Sequence, residues 1–310
     1  MISLSPEDTA EVLAQALPYI QRFHGRVVVV KYGGNAMTPE ADAAFAADIV
    51  LMHSVGIRPV VVHGGGPQIT DLMARLGKES TFRNGLRVTD AESLEITRMV
   101  LVGKVNRELD SSINRHGPLA VGISGEDAGT IQATMRDPEL GFVGDVSAVH
   151  PALLNQLLAQ NLIPVIATVG VDTHGQAFNI NADTVAGAVA VALDAEKVIF
   201  LTDIDGLRRN VQDPASLTSR CSAGELRLLI DGGHVSSGMI PKVDACLEAV
   251  EGGVGSAHLI DGRRPHVLLL ELFTDAGIGT MVTRYNDSAT SGGRNSVATQ
   301  RGTKDTGDAR

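Results

Sequence analysis

Two short apolar runs stop abruptly at glycines. Val27-Val28-Val29-Val30 leads into Lys31-Tyr32-Gly33-Gly34-Asn35, and Pro59-Val60-Val61-Val62 leads into His63-Gly64-Gly65-Gly66-Pro67. Each run has the length of a buried strand, and each is followed by residues at helical spacing, near 39–55 and 67–76. A strand, a glycine turn and a helix, repeated, fold as a parallel sheet with helices packed on its faces. Glycine also lets backbone N–H groups approach a ligand closely, and the helix behind adds the positive end of its dipole. Two such turns on neighbouring strands, one carrying Lys31, would grip two anions at once, as a phosphoryl transfer requires. Either turn alone reads equally well as a tight strand-to-helix connection.

The usual nucleotide signatures do not fit. Lys31 precedes its glycines, whereas the P-loop lysine follows them, and G-x-G-x-x-G is absent. With 310 residues and a net charge of −10, the chain is no general binder of nucleic acid or membrane surfaces. An anionic ligand must then be held by a few placed cations, and only six lysines exist to supply them. Cys221 and Cys246 lack metal-ligand spacing and read as buried thiols in a reducing cytoplasm. The N-terminal residues have no signal-peptide pattern, and no run is long enough for a membrane span.

Further strands are expected near 119–122, 163–169, 197–201 and 256–260, with helices near 90–115, 151–160, 182–193, 222–231 and 239–251. Residues 130–149 and 168–180 read as hairpins, by default decoration of the core, though hairpins so placed commonly form lids over a site. Ser5-Pro6-Glu7-Asp8 starts a leading helix whose Pro18 is expected to kink or divide it. The helix is an appendage to the sheet, and exchange of its apolar stripe between subunits is favoured over packing on its own domain. Residues 287–310 are polar and glycine-rich and read as a disordered tail.

Four more stretches carry chemistry: Asn84-Gly85-Leu86-Arg87-Val88-Thr89, Phe178-Asn179-Ile180-Asn181-Ala182-Asp183, Leu201-Thr202-Asp203-Ile204-Asp205-Gly206-Leu207, and Gly238-Met239-Ile240-Pro241-Lys242. Lys242 falls in the first turn of a helix, against the dipole, which is unfavourable unless an anion sits there. By its place at the start of a helix, Asp183 reads as an N-cap. Together with the two glycine turns, these stretches resemble the amino acid kinase family in order and spacing over roughly residues 10–285. Within it they are similar to the members that phosphorylate N-acetyl-L-glutamate in arginine biosynthesis.

The resemblance implies a three-layer αβα sandwich with about eight mainly parallel strands. It divides the chain into a leading oligomerisation helix (1–24), an amino-acid lobe (about 25–195) and a nucleotide lobe (about 196–286). It implies MgATP as phosphoryl donor, with the metal held mainly by the nucleotide. Lys31 and Lys242 match the transition-state cations, and Asp183 the carboxylate that orients them. Gly33 and Gly34 match phosphate donors; Gly65 and Gly66 match donors near the attacking carboxylate. Arg87 and Asn179 match substrate-binding residues, and Asp203 and Leu207 fall where adenine and ribose are held. Ser237 and Arg208-Arg209-Asn210 depart from the family's pattern around the nucleotide. The same fold with another acceptor (carbamate, aspartate, glutamate or UMP), or an inactive ligand-sensing domain, are the competing readings.

Regulation is implied as well. The leading helix resembles the extension of arginine-inhibited members, in which three dimers join as a hexamer. By the same match, Glu271 would hold the guanidinium of arginine, with His258 and Gly279 nearby. A nitrogen-signalling regulatory protein is a possible further partner by this resemblance.

Overall fold

The computed structural model describes residues 5–285 apart from 38, 210–212, 214, 215, 234, 236, 237 and 276. The tail at 287–310, and Ser237 and Asn210, lie outside the described residues.

Helix α1 (Pro6–Phe23) is followed by β1 (Val27–Tyr32), α2 (Pro39–Ser54), β2 (Arg58–His63) and α3 (Gly66–Arg75). The two-residue strands β3 (Phe82–Arg83) and β4 (Leu86–Arg87) make a small hairpin where only a loop was expected. Next come α4 (Ala91–Arg98), a wide π-helical stretch (Met99–Val105) and α5 (Asn106–Asn114), which form one continuous rod. Strands β5 (Ala120–Ser124), β6 (Ile131–Met135) and β7 (Val143–Val149) precede α6 (Ala152–Ala159), β8 (Ile163–Ala167), β9 (Val169–Val171), β10 (Ala177–Ile180) and α7 (Ala182–Ala192). The last third holds β11 (Lys197–Thr202), β12 (Arg220–Ser222), α8 (Ala223–Asp231), α9 (Ile240–Glu251), β13 (Ser256–Asp261), α10 (Val267–Phe273) and β14 (Thr280–Thr283).

Eight strands form the main sheet in the order β12-β14-β13-β11-β1-β2-β8-β5. Neighbours run parallel except β13 and β14. The sheet is covered on both faces, which is why its central strands are unbroken apolar runs rather than alternating ones. Val29, Val60, Val62 and Phe200 enter one core, while Val28, Val30, Val61 and Ile199 enter the other. This is the αβα sandwich expected from the sequence. Strand β1 lies at the centre between β2 and β11, so its last residues sit beside the ends of both.

The two expected hairpins unite. Strands β10, β7, β6 and β9 close into one small barrel, with β7 parallel to β10. Helix α1 starts with the expected cap, where Ser5 and Asp8 bond each other's backbone N–H. Pro18 does not divide it; the helix runs unbroken to Phe23. Pro18 cannot donate the usual helical bond to the Ala14 carbonyl, and Ala14 lies on the exposed side of the helix, where water can serve it. Phe23 is buried, while Val12, Leu13 and Leu17 remain more than half exposed.

Candidate active site

The C-terminal ends of β1 and β2 deliver both glycine turns to one place. Gly34 has φ +67°, which favours glycine, and a Cβ on Gly33 would stand 3.1 Å from the Gly64 backbone nitrogen. A Cβ on Gly65 would stand 2.8 Å from Leu101, on the π-helical stretch. The turns are glycine because the two loops and the rod behind them touch.

Between these turns the carboxylate of Asp183 joins two cations. Lys31 Nζ lies 2.9 Å from Oδ1, and Lys242 Nζ donates to Oδ2 at 2.9 Å. Lys31 and Asp183 are buried, whereas Lys242 is partly open. The sequence left Asp183 open as the cap of α7. The structure assigns the cap to Asn181, whose Oδ1 accepts from the N–H groups of Asp183 and Thr184, so Asp183 points elsewhere. Burial opposes the charge of Asp183, but Lys31 and Lys242 outweigh it and hold the carboxyl at about 2. Burial lowers the Lys31 pKa; Asp183 supports its charge, Lys242 opposes it, and Asp203 supports it from the end of β11. Two cations on one carboxylate leave a net positive charge beside two helix N-termini, a combination suited to a polyanion.

An open cleft of about 790 Å³ runs past Lys31, Gly33, Gly34, Lys242 and Asp203 to Arg87. An adjoining recess of about 270 Å³ shares Lys31, Lys242 and Arg87 and is completed by Gly65, Asn179 and Asp183. Arg87 is no surface arginine. It is buried, donating to the Gly66 carbonyl (3.0 Å) and the Thr70 hydroxyl (2.7 Å), with its guanidinium 4.7 Å from the centre of the Phe82 ring. Asn179 donates to the Thr89 hydroxyl at 3.4 Å from the rim of the small barrel.

Asp203 and Leu207 border a second pocket of about 410 Å³, continuous with the cleft through Asp203. Leu207 is buried, its N–H donating to Thr280 Oγ1 at 2.8 Å, so only the edge of that residue faces the pocket. The pocket wall also includes Met239, from the stretch that carries Lys242, and Arg263, which the sequence did not single out. Thr70, Phe82 and Leu101 were missed as well, because each sits between motifs and is brought to the cleft by the folding of α3, the β3–β4 hairpin and the rod.

His258 and Glu271 are not part of this cleft. Glu271 is buried with His258 Nδ1 at 2.7 Å and Lys197 Nζ at 3.4 Å, at a separate pocket of about 460 Å³ that Gly279 also lines. Tyr19, Arg22 and Phe23 of α1 form its other side.

The pattern of the amino acid kinase family matches residues 26–261. The chain is 50% identical over 293 residues to the acetylglutamate kinase of Moorella thermoacetica, covering 91% of this chain and 99% of that one. With the acetylglutamate kinase of Thermosynechococcus vestitus it shares 52% identity over 294 residues, covering 93% and 100%. Among solved structures, the N-acetylglutamate synthase of Neisseria gonorrhoeae complexed with coenzyme A and N-acetyl-glutamate superposes with a TM-score of 0.78 at 28% identity, covering 89% of this chain and 63% of that one. The same synthase with coenzyme A and L-arginine gives 0.74 at 27%, covering 89% and 65%. A family pattern spanning most of the chain, and half-identical relatives matched nearly end to end, show that the chain belongs to the amino acid kinase family.

Proposed function

We propose that this chain transfers the γ-phosphoryl group of ATP to the γ-carboxylate of N-acetyl-L-glutamate, a step of arginine biosynthesis in the cytoplasm. The observation that carries the reading is Asp183 between Lys31 and Lys242, set between two glycine turns. The half-identical acetylglutamate kinases supply the acceptor.

A carboxylate of pKa ~4 is already ionised near neutrality, so the acceptor needs no general base. Catalysis is then positioning and charge neutralisation. In this reading residues 25–195 hold the amino acid and 196–286 the nucleotide. Gly33 and Gly34 donate N–H groups to the phosphates, and Gly65 and Gly66 to the attacking carboxylate. Lys31 and Lys242 flank the moving phosphoryl group, and Asp183 keeps both aimed at it. Asp203 and Leu207 border the adenosine pocket. Mg²⁺ would be held mainly by the nucleotide, since no cluster of three or more His, Cys, Asp or Glu able to hold it exists among the described residues, and it would supply further charge neutralisation beside Lys31 and Lys242. Hydroxamate trapping with MgATP across N-acetylglutamate, glutamate, aspartate and carbamate, with ADP release followed for UMP, tests the acceptor. Activity with another acceptor and none with N-acetylglutamate would defeat this reading.

Arg87 lines the recess with one terminal nitrogen on Gly66 and Thr70 and the other on Ser80 and the Met73 sulfur, so in this reading the substrate α-carboxylate displaces some of these neutral partners as it pairs with the guanidinium; Asn179 takes the acetamido end. Arg87→Ala is expected to raise KM for the amino acid by roughly ten- to a hundredfold with a smaller loss in kcat, because the contact exists in the ground state. A sharp rise in the KM for ATP instead would mean the two lobes are assigned in reverse.

Arginine is the expected inhibitor, held at the pocket that Glu271 and Gly279 line, with His258 buried behind Glu271 rather than on the pocket wall, as a buried carboxylate suits a guanidinium. Burial opposes the Glu271 charge, but His258 and Lys197 outweigh it, so an acceptor for a cation is maintained there. The exposed apolar stripe of α1 favours helix exchange and a hexamer made of three dimers. Because α1 also walls the arginine pocket, deleting residues 1–24 should yield smaller, active assemblies with inhibition lost or much weakened. Glu271→Gln should lose inhibition by at least about tenfold while keeping the hexamer, read by sedimentation and arginine titration. A full-length protein that sediments as a dimer and ignores millimolar arginine would overturn this part.

A further inference from the structure

The geometry points to His63 as a positioning residue: its Nδ1–H holds the Gly64 carbonyl and thereby aims the Gly65 N–H toward the acceptor carboxylate. The assignment rests on the proposed acceptor site and goes beyond it. His63 ends β2 and is completely buried, with Nδ1 3.0 Å from the Gly64 carbonyl oxygen and Nε2 3.0 Å from Asn106 Nδ2.

The surroundings of Asn106 decide where the proton lies. Its Nδ2 faces the carbonyls of Val165 (2.9 Å) and Ile123 (3.3 Å), and its Oδ1 accepts from the Arg107 guanidinium. The amide nitrogen therefore faces His63 as a donor, so Nε2 must accept and Nδ1 must carry the hydrogen. Burial, opposed by the bond to Gly64 and reinforced by the Arg107 charge, lowers the imidazole to about 4, so it stays neutral in the working range.

The bond matters because of the peptide it fixes. In a trans peptide the C=O and the following N–H point in opposite directions. Holding the Gly64 oxygen toward His63 turns the Gly65 N–H away from it, and both glycines line the recess. A peptide between two glycines has no Cβ on either side to resist a flip, which would present a carbonyl to an anion instead. Asn106 follows directly on the π-helical stretch, whose Leu101 and Val105 lie against Gly65. That wide turn thus supplies both the packing behind the loop and the residue that sets the tautomer.

Asn and Gln separate the two ring positions. The His63→Asn amide replaces Nδ1–H and should keep kcat/KM for N-acetylglutamate within about threefold of wild type. His63→Gln reaches the Nε2 position instead and should lose roughly ten- to a hundredfold, with the KM for MgATP nearly unchanged. ¹⁵N-histidine spectra, with His63 assigned from the His63→Asn protein, should show the proton on Nδ1 from pH 9 to 6. A proton on Nε2, or a folded Gln variant with full kcat/KM, would overturn the assignment. If neither variant folds, the tautomer is read on wild-type protein, assigned through through-bond correlations. Wild-type protein inactive toward N-acetylglutamate would defeat the proposed acceptor while leaving the tautomer result intact.

Discussion

Lys31→Ala and Lys242→Ala are each expected to lower kcat by roughly a hundred- to a thousandfold or more while changing the KM values far less. In the proposed reaction each ammonium would face charge that peaks on the phosphoryl group in the transition state, where one preorganised donor typically contributes on that scale. Both are already held on Asp183, so no reorganisation is needed when the charge develops. Lys31 also titrates earlier than a free lysine, chiefly because it is buried. The wild-type kcat/KM for MgATP, which reports the free enzyme, should therefore fall on the alkaline side below the ordinary lysine value of about 10.4. The alanine variants, assayed at saturating MgATP and acceptor, test the magnitude. A Lys31→Ala protein with wild-type kcat would remove that lysine from the chemistry.

Asp183→Asn should be nearly as damaging, by a different route. The amide cannot offset two ammonium groups, so Lys31 loses its proton at lower pH and kcat drops by roughly a hundredfold at neutral pH. The alkaline limb should move toward neutrality, a shift that simple loss of a helix cap would not produce. Stability should fall too, by about 3–5 kcal/mol, the usual cost of breaking a buried ion pair from one side. Asp183 is held at about 2, below its unfolded value near 3.9. Its contribution is therefore present above pH 4 and lost as pH falls toward 2. Denaturant titrations of wild-type and variant protein should differ most near neutrality and converge in acid. A variant that melts like wild type and keeps the same pH profile would show that Asn181 alone does the structural work here.

What was legible in the chain was its local, repeating content. The apolar runs of β1, β2, β8, β11 and β13 are strands buried on both faces, and that pattern needs no knowledge of neighbours. The glycines at 33–34 and 64–66 marked the turns, though the close approaches that Gly33 and Gly65 permit are to residues distant in the chain. Strands β12 and β14, with three and four residues, carried too little periodicity to be seen, and α10 is hardly longer.

The site itself is a matter of tertiary structure. Lys31, Asp183 and Lys242 lie on three separated segments, and only the central place of β1 in the sheet brings them to one carboxylate. Whether Asp183 or Asn181 caps α7 could not be read locally, because either side chain can bond a helix N-terminus. The answer came from the two ammonium groups packed across from α7. The sequence match pointed Arg87 at the substrate, but only the fold shows that Gly66, Thr70 and Phe82 close around it. The sequence by itself determined the sheet, the turns and the residue types able to hold anions, since these follow from periodicity and from glycine's missing Cβ. Only the tertiary structure decided which charges are paired, which partners surround His63 and which residues face the cleft, because those depend on burial and partners distant in the chain.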